Sequence, residues 1–152
     1  MTISISTIIL KQENIPKVSL DFMNNTHFEE LEMVKEIGEF VNTLKINNTK
    51  IHIQESLSET LNAWLKHTIE HFKHENELMK VTGFPAYSIH KKEHKIALER
   101  MKKVINTWGK EKDISLIHDY IFSFWPAWFT QHVNTMDMMT AKFAVSTGYT
   151  NH

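Results

Sequence analysis

A chain of 152 residues, 41% of them hydrophobic, has the size and composition of one ordinary domain with a real core. Its net charge of -1 gives no electrostatic reason to expect nucleic acid or an anionic membrane as partner, and the lack of cysteine excludes disulfides, thiolate metal sites and thiol catalysis. The opening MTISISTIIL has neither the basic segment nor the small-residue cleavage site of a signal peptide. No apolar run approaches the ~20 residues that span a bilayer, so a soluble cytoplasmic protein is expected.

Four amphipathic helical segments follow from apolar spacing. The first is expected from about Asn24 to Ile46, with Leu31, Val34, Val41 and Leu44 on one stripe, and the polar NNTK (47–50) ends it. The second is expected to open at SLSE (56–59), which fits a capping box. It runs through Leu61, Trp64, Thr68, His71, Glu75 and Leu78 to a stop near Gly83. The third takes Pro85 in its first turn and carries His90, His94, Ala97, Met101 and Val104 before Trp108-Gly109. The fourth follows GKEKD and spans about Ile114 to Val145, with Ile117, Ile121, Trp128, His132, Met139 and Phe143 facing in. Long helices with short connections predict an all-α, up-down-up-down four-helix bundle over 21–152, leaving residues 1–20 as an extended N-terminal arm.

The chemistry lies in where the ten histidines fall. His90 and His94 are four apart, one helical turn, so two imidazoles can ligate one ion. His71 and Glu75 share that separation on the inward stripe of the second helix. His27 sits one turn before Leu31 on the first, and His132 and Asp137 lie on the inward side of the fourth. Each helix thus offers a nitrogen ligand to the core, and two offer a carboxylate. Five imidazoles exceed a tetrahedral zinc site and suit two octahedrally inclined iron ions that share bridging carboxylates. The Glu-x-x-His pairs of ferritin-like di-iron proteins and the HExxH of zinc proteases are both absent. A donor set rich in histidine and poor in carboxylate favours a ferrous pair and leans towards reversible binding over substrate oxidation.

The ordered series His27, His71-x-x-x-Glu75, His90-x-x-x-His94, His132-x-x-x-x-Asp137 resembles the hemerythrin family in its bacterial, single-domain form, over about residues 20 to 145. The resemblance implies a four-helix bundle holding an oxo- or hydroxo-bridged di-iron centre. By position His90, His94 and His132 would complete one iron. His27 and His71 would bind the other, with a position open to dioxygen, and Glu75 and Asp137 would bridge the two. It further implies an oxygen binder rather than an enzyme, with dioxygen as its ligand.

Some positions depart from that pattern. His132 and Asp137 are five apart, about 140° on a regular helix, which predicts a local widening of the π-bulge kind or a reaching Asp rotamer. Pro126 is expected to kink the fourth helix or to start a new segment. Phe129 stands where hemerythrins often carry leucine; it reads either as ordinary core or as a ring narrowing the oxygen pocket. Trp128, with Trp64 and Trp125, reads as dry lining. His74 and Glu77 are assigned to the solvated face. His67 is read as a neighbour of the site or a surface residue, not a ligand. His118 falls before the site level, His52 in a loop and His152 at the chain end. Three functional classes are open: reversible dioxygen storage, transport or delivery; oxygen or redox sensing through a partner protein; and a di-iron enzyme (peroxidase, or nitric-oxide or iron handling). The first is preferred, because no output domain adjoins the bundle and no acid–base residue stands beyond the ligands.

Overall fold

A computed structural model describes residues 9–149, and among these there are helices and no strand. Helix α1 (Asp21–Ile46) turns through residues 47–50 into α2 (Ile51–Thr82), and residues 83–86 lead to α3 (Tyr87–Glu111). A fourth rod covers residues 114–146. It is built from α4 (Ile114–Asp119), a π turn (Tyr120–Phe124), α5 (Trp125–His132), a second π turn (Val133–Asp137) and α6 (Met138–Ser146). α1 packs on α2 and the fourth rod, and α3 packs on the same two. With such short connections this is the up-down-up-down bundle expected from the sequence. No helix of the described residues is long and apolar enough to cross a membrane.

The stops are local chemistry. Thr49 N–H bonds to Asn47 Oδ1 (3.0 Å), an Asx turn that diverts the chain after α1. Gly83 ends α2 at φ +72°, where a Cβ would be strained, and Phe84 N–H returns to the Met79 carbonyl at 2.9 Å. Asp113 caps α4 by accepting from the Ser115 and Leu116 amides at 3.0 and 3.3 Å.

Several boundaries differ from the expectation. α1 begins three residues before Asn24, because the Asn24 side chain accepts from Val18 N–H and donates to Val18 O (2.9 Å each), fastening the arm to the helix start. α2 begins at Ile51, so SLSE is no capping box. Ser58 instead accepts from Trp108 Nε1 on α3 (3.0 Å), and His52 lies within the helix rather than in a loop. Pro85 sits in the turn before α3, and α3 continues past Trp108-Gly109 to Glu111. Residues 9–20 contain a 3-10 turn (Gln12–Asn14) and bury Ile15, Val18 and Leu20 against the bundle, so this part of the arm is packed; residues 1–8 and His152 lie outside the described residues.

Candidate metal centre

The inward stripes lead to one buried cluster at mid-height. On α1 the stripe of His27, Glu30, Leu31 and Val34 is fully enclosed, and on α2 Trp64, Thr68, His71, Glu75 and Leu78 form its counterpart. On α3 the stripe is His90, His94, Met101 and Val104, with Ala97 half-buried between them. On the fourth rod the π turn Val133–Asp137 makes residues five apart one turn apart, which brings Asp137 round to the face of His132. That is the widening expected from their spacing. It also shifts the rest of the rod. Thr140, Ala141 and Ala144 now face in, whereas Met139, expected inside, is 62% exposed and Phe143 is half-buried. The first π turn, at Tyr120–Phe124, lies just before Pro126, which has no N–H to give the preceding turn, so the rod runs through the proline.

All seven expected ligands meet here. One group joins Glu75, His90, His94, His132 and Asp137; the other joins His27, His71, Glu75 and Asp137, and in each the donor atoms lie within 4.8 Å of one another. The two carboxylates belong to both groups and divide their oxygens between them. Glu75 Oε1 is 3.1 Å from His94 Nε2 and 3.6 Å from His90 Nε2, while Oε2 is 2.7 Å from His71 Nε2. Asp137 Oδ1 is 3.1 Å from the Nε2 atoms of both His90 and His132, while Oδ2 is 2.9 Å from His27 Nε2.

The fit to metal rests on atoms without an alternative partner. Among the described residues Glu75 Oε1, Asp137 Oδ1 and His94 Nε2 are buried and make no hydrogen bond, an expensive state for polar groups unless a cation takes their lone pairs. Four of the five opposite ring nitrogens are held elsewhere, and that of His27, Nδ1, is buried without a hydrogen bond. His71 Nδ1 is 3.3 Å from Glu30, His90 Nδ1 2.8 Å from Thr140, His94 Nδ1 2.8 Å from Asn76 and His132 Nδ1 2.7 Å from Glu93. Such partners orient the rings and fix which nitrogen is free to ligate.

Electrostatics are set by mutual proximity. Burial works against the charged forms of His71 and His132, but adjacent carboxylates outweigh it. Glu75 and Glu30 raise His71 well above 6.5, and Asp137 and Glu93 raise His132 to about 10. Burial pushes His94 down to about 4, only partly offset by Glu75. Burial would raise both shared carboxyls, and the charge of Asp137 would raise Glu75 further. His71 and His94 nonetheless lower Glu75 to about 2, and His132, His27 and His90 hold Asp137 well below its ordinary value.

Aromatic rings wall the cluster. Phe129 is buried, meets His27 edge-on at 5.6 Å and stacks on Trp125 at 4.6 Å. Trp128 instead stacks on His132 at 4.7 Å, backing the other group. A narrow cavity reaches His71 and His132 past Phe129, Trp125 and Trp128, with Glu30 and Thr68 as its polar wall. His74 and Glu77 are exposed, the former stacked on Phe22, and His118 rests on Phe122. His67 is outside both metal groups and bonds to Glu30 and Glu29.

Glu30, Asn76, Glu93 and Thr140 were not singled out from the sequence. For Glu30 a signal existed, since it is the lone carboxylate on the buried stripe of His27, Leu31 and Val34. The other three depend on rotamers and on the phase of the π turn.

The comparisons agree with this geometry. Residues 19–144 match the family model of the hemerythrin HHE cation binding domain. The bacteriohemerythrin of Aquifex aeolicus (strain VF5) is 27% identical over 135 residues, 89% of this chain and 97% of that protein. That of Ralstonia nicotianae is 32% identical over 88 residues (58% and 63%), and that of Stenotrophomonas maltophilia 23% over 124 residues (82% and 74%). No solved structure matches the chain. With the model spanning most of the bundle and its metal cluster, the chain belongs to the hemerythrin family.

Proposed function

We propose that this protein binds dioxygen reversibly at a di-iron centre held by His27, His71, Glu75, His90, His94, His132 and Asp137. The observation that carries the reading is the division of each carboxylate. Glu75 and Asp137 each aim one oxygen at His90 and its neighbours and the other at the His27–His71 side, as two bridges between two ions require. A ferrous pair held by these residues would supply the electrons for binding dioxygen.

The chain's own residues set the conditions. The group around His90 contributes three imidazoles and two carboxylate oxygens, and the group around His27 two imidazoles and two carboxylate oxygens, so the latter side has room for a diatomic ligand. Phe129 and Trp125 cover that side with apolar surface, keeping water and protons away from it. The bundle holds all seven side chains on four rigid helical elements, so ligand geometry does not depend on a loop.

The test is anaerobic reduction of iron-loaded protein, then oxygen exposure with optical spectra and iron counting. Two irons per chain and an absorption band that appears with oxygen and vanishes under argon are expected. Rapid irreversible oxidation, or a stoichiometry of one iron, would overturn the reading.

A further inference from the structure

Glu30 is a buried carboxylate outside the seven proposed ligands. Its Oε2 accepts from Trp64 Nε1 at 2.6 Å, and Thr68 Oγ1 donates to its two oxygens at 3.0 and 3.3 Å. Its Oε1 meets His67 Nδ1 at 2.9 Å and His71 Nδ1 at 3.3 Å. Trp64, His67, Thr68 and His71 are spaced as one face of α2, so about two turns of that helix are committed to a single anion on α1. Burying an ionised carboxyl is costly unless it is fully paired. Both of its oxygens are partnered, so Glu30 is a buried, fully paired carboxylate at the outer edge of the His71 ring.

We propose that Glu30 is a positioning residue for the metal centre: its carboxylate takes the outer N–H of His71, leaves Nε2 as the free lone pair on the His27 side, and strengthens that one ligand's donation. The proposal rests on the metal reading above and extends it to an asymmetry between the two ions. His132, on the other side, also has a carboxylate at Nδ1, but Glu93 is 31% exposed and screened by water, whereas Glu30 is enclosed. An ion held by His27 and His71 would sit beside the less screened anion, which would stabilise its oxidised form.

Glu30→Gln isolates the charge, because an amide oxygen still accepts from Trp64 and Thr68. Titration with zinc as a redox-silent probe reads binding without any oxygen chemistry. Wild type should take up two equivalents. In the variant one equivalent should weaken by about 10- to 100-fold while the other stays, and the midpoint potential of the iron-loaded variant should move positive. Glu93→Gln should give a smaller change, and Thr68→Val, which removes a bond to Glu30 but not its charge, should leave both zinc equivalents intact. Unchanged zinc binding and potential in Glu30→Gln, or equal weakening in Thr68→Val, would overturn the role. If Glu30→Gln does not fold, ¹⁵N spectra of zinc-loaded wild type decide. A protonated Nδ1 on His71, shifted as when bonded to a carboxylate, supports the role, and an unprotonated Nδ1 refutes it. Uptake of fewer than two zinc ions by wild type would strike the metal reading itself, an outcome distinct from an unaffected variant.

Discussion

His132 and Asp137 stand five residues apart on one rod, yet His132 Nε2 lies 3.1 Å from Asp137 Oδ1. The contact exists because the backbone between them is a π turn, which makes a five-residue separation one full turn. Asp137 also reaches His27 on α1 at 2.9 Å and His90 on α3 at 3.1 Å. One widened turn thus aims one carboxylate at three helical elements.

Removing that carboxylate should disassemble the pair of metal groups. In Asp137→Ala both groups lose an oxygen, so the expected zinc or iron content falls from two per chain to one or none by elemental analysis. Retention of two tightly bound ions would mean that Asp137 is not a bridge.

The π turn also changes what is inside beyond it, which gives a test in stability alone. A regular helix continued from His132 would bury Met139; the widened one exposes it and buries Ala141 against the bundle. Met139→Gln should therefore shift the unfolding free energy by no more than about 0.5 kcal/mol. Ala141→Leu should cost about 1–3 kcal/mol by overpacking. Chemical denaturation of the metal-free protein compares the two, and the reverse order would contradict this register.

These two positions show how far the sequence could be read. Helix count, the inward stripes of the first three helices and six of the seven candidate ligands emerge from periods of three and four residues, because burial enforces that spacing. The need for a widened turn was also legible, since two ligands five apart cannot otherwise share a face. The register of the rod beyond that turn was not. A period measured from His132 predicts Met139 inside, and nothing local announces that the phase has moved. Ser56 and Ser58 failed differently: SLSE resembles a start signal, but helix-competent residues precede it and Trp108, distant in sequence, claims Ser58. Glu30 escaped because its donors come from another helix.

Phe129 offers a kinetic prediction. Its ring lies 5.6 Å from that of His27, on the side with fewer protein donors. Phe129→Leu opens that wall, and lowering a passage barrier by about 1 kcal/mol corresponds to roughly a fivefold faster rate. Oxygen release measured by stopped flow, and the rate of irreversible oxidation in air, should rise together. If neither changes, Phe129 is core and not a gate.

The start of the fourth rod can be tested away from the metals. Asp113 caps α4 through two amides, and Asp113→Ala should cost about 1 kcal/mol. For a chain of this size that is a drop of roughly 2–4 °C in melting temperature, with metal content unchanged. Loss of metal in this variant would show that the cap acts beyond its own helix end.

The pKa pattern predicts that metal loading is coupled to protons. In the metal-free protein at neutral pH, Glu75 and Asp137 are already ionised and His94 is neutral, whereas His71 and His132 hold a proton that a metal must displace. Filling both sites at pH 7 should release protons, measurable by calorimetry in buffers of different ionisation enthalpy. The combined affinity for two zinc ions should rise with pH through the neutral range, because the raised pKa values of His71 and His132 make metal compete with protons there. The stability of the metal-free protein carries the complementary sign. His132, raised from 6.5 to about 10, stabilises fully below 6.5 and loses that contribution as pH rises towards 10. Glu75, lowered from 4.5 to about 2, stabilises above 4.5 and loses its contribution as pH falls towards 2. His94, lowered from 6.5 to about 4, works against the folded state as pH falls through that range, so metal-free protein should be most stable near pH 6.5 and weaken in both directions. Metal-loaded protein, whose imidazoles are neutral ligands, should lose the alkaline decline. Identical alkaline limbs for the two forms, or zinc affinity flat through the neutral range, would contradict this account of the cluster.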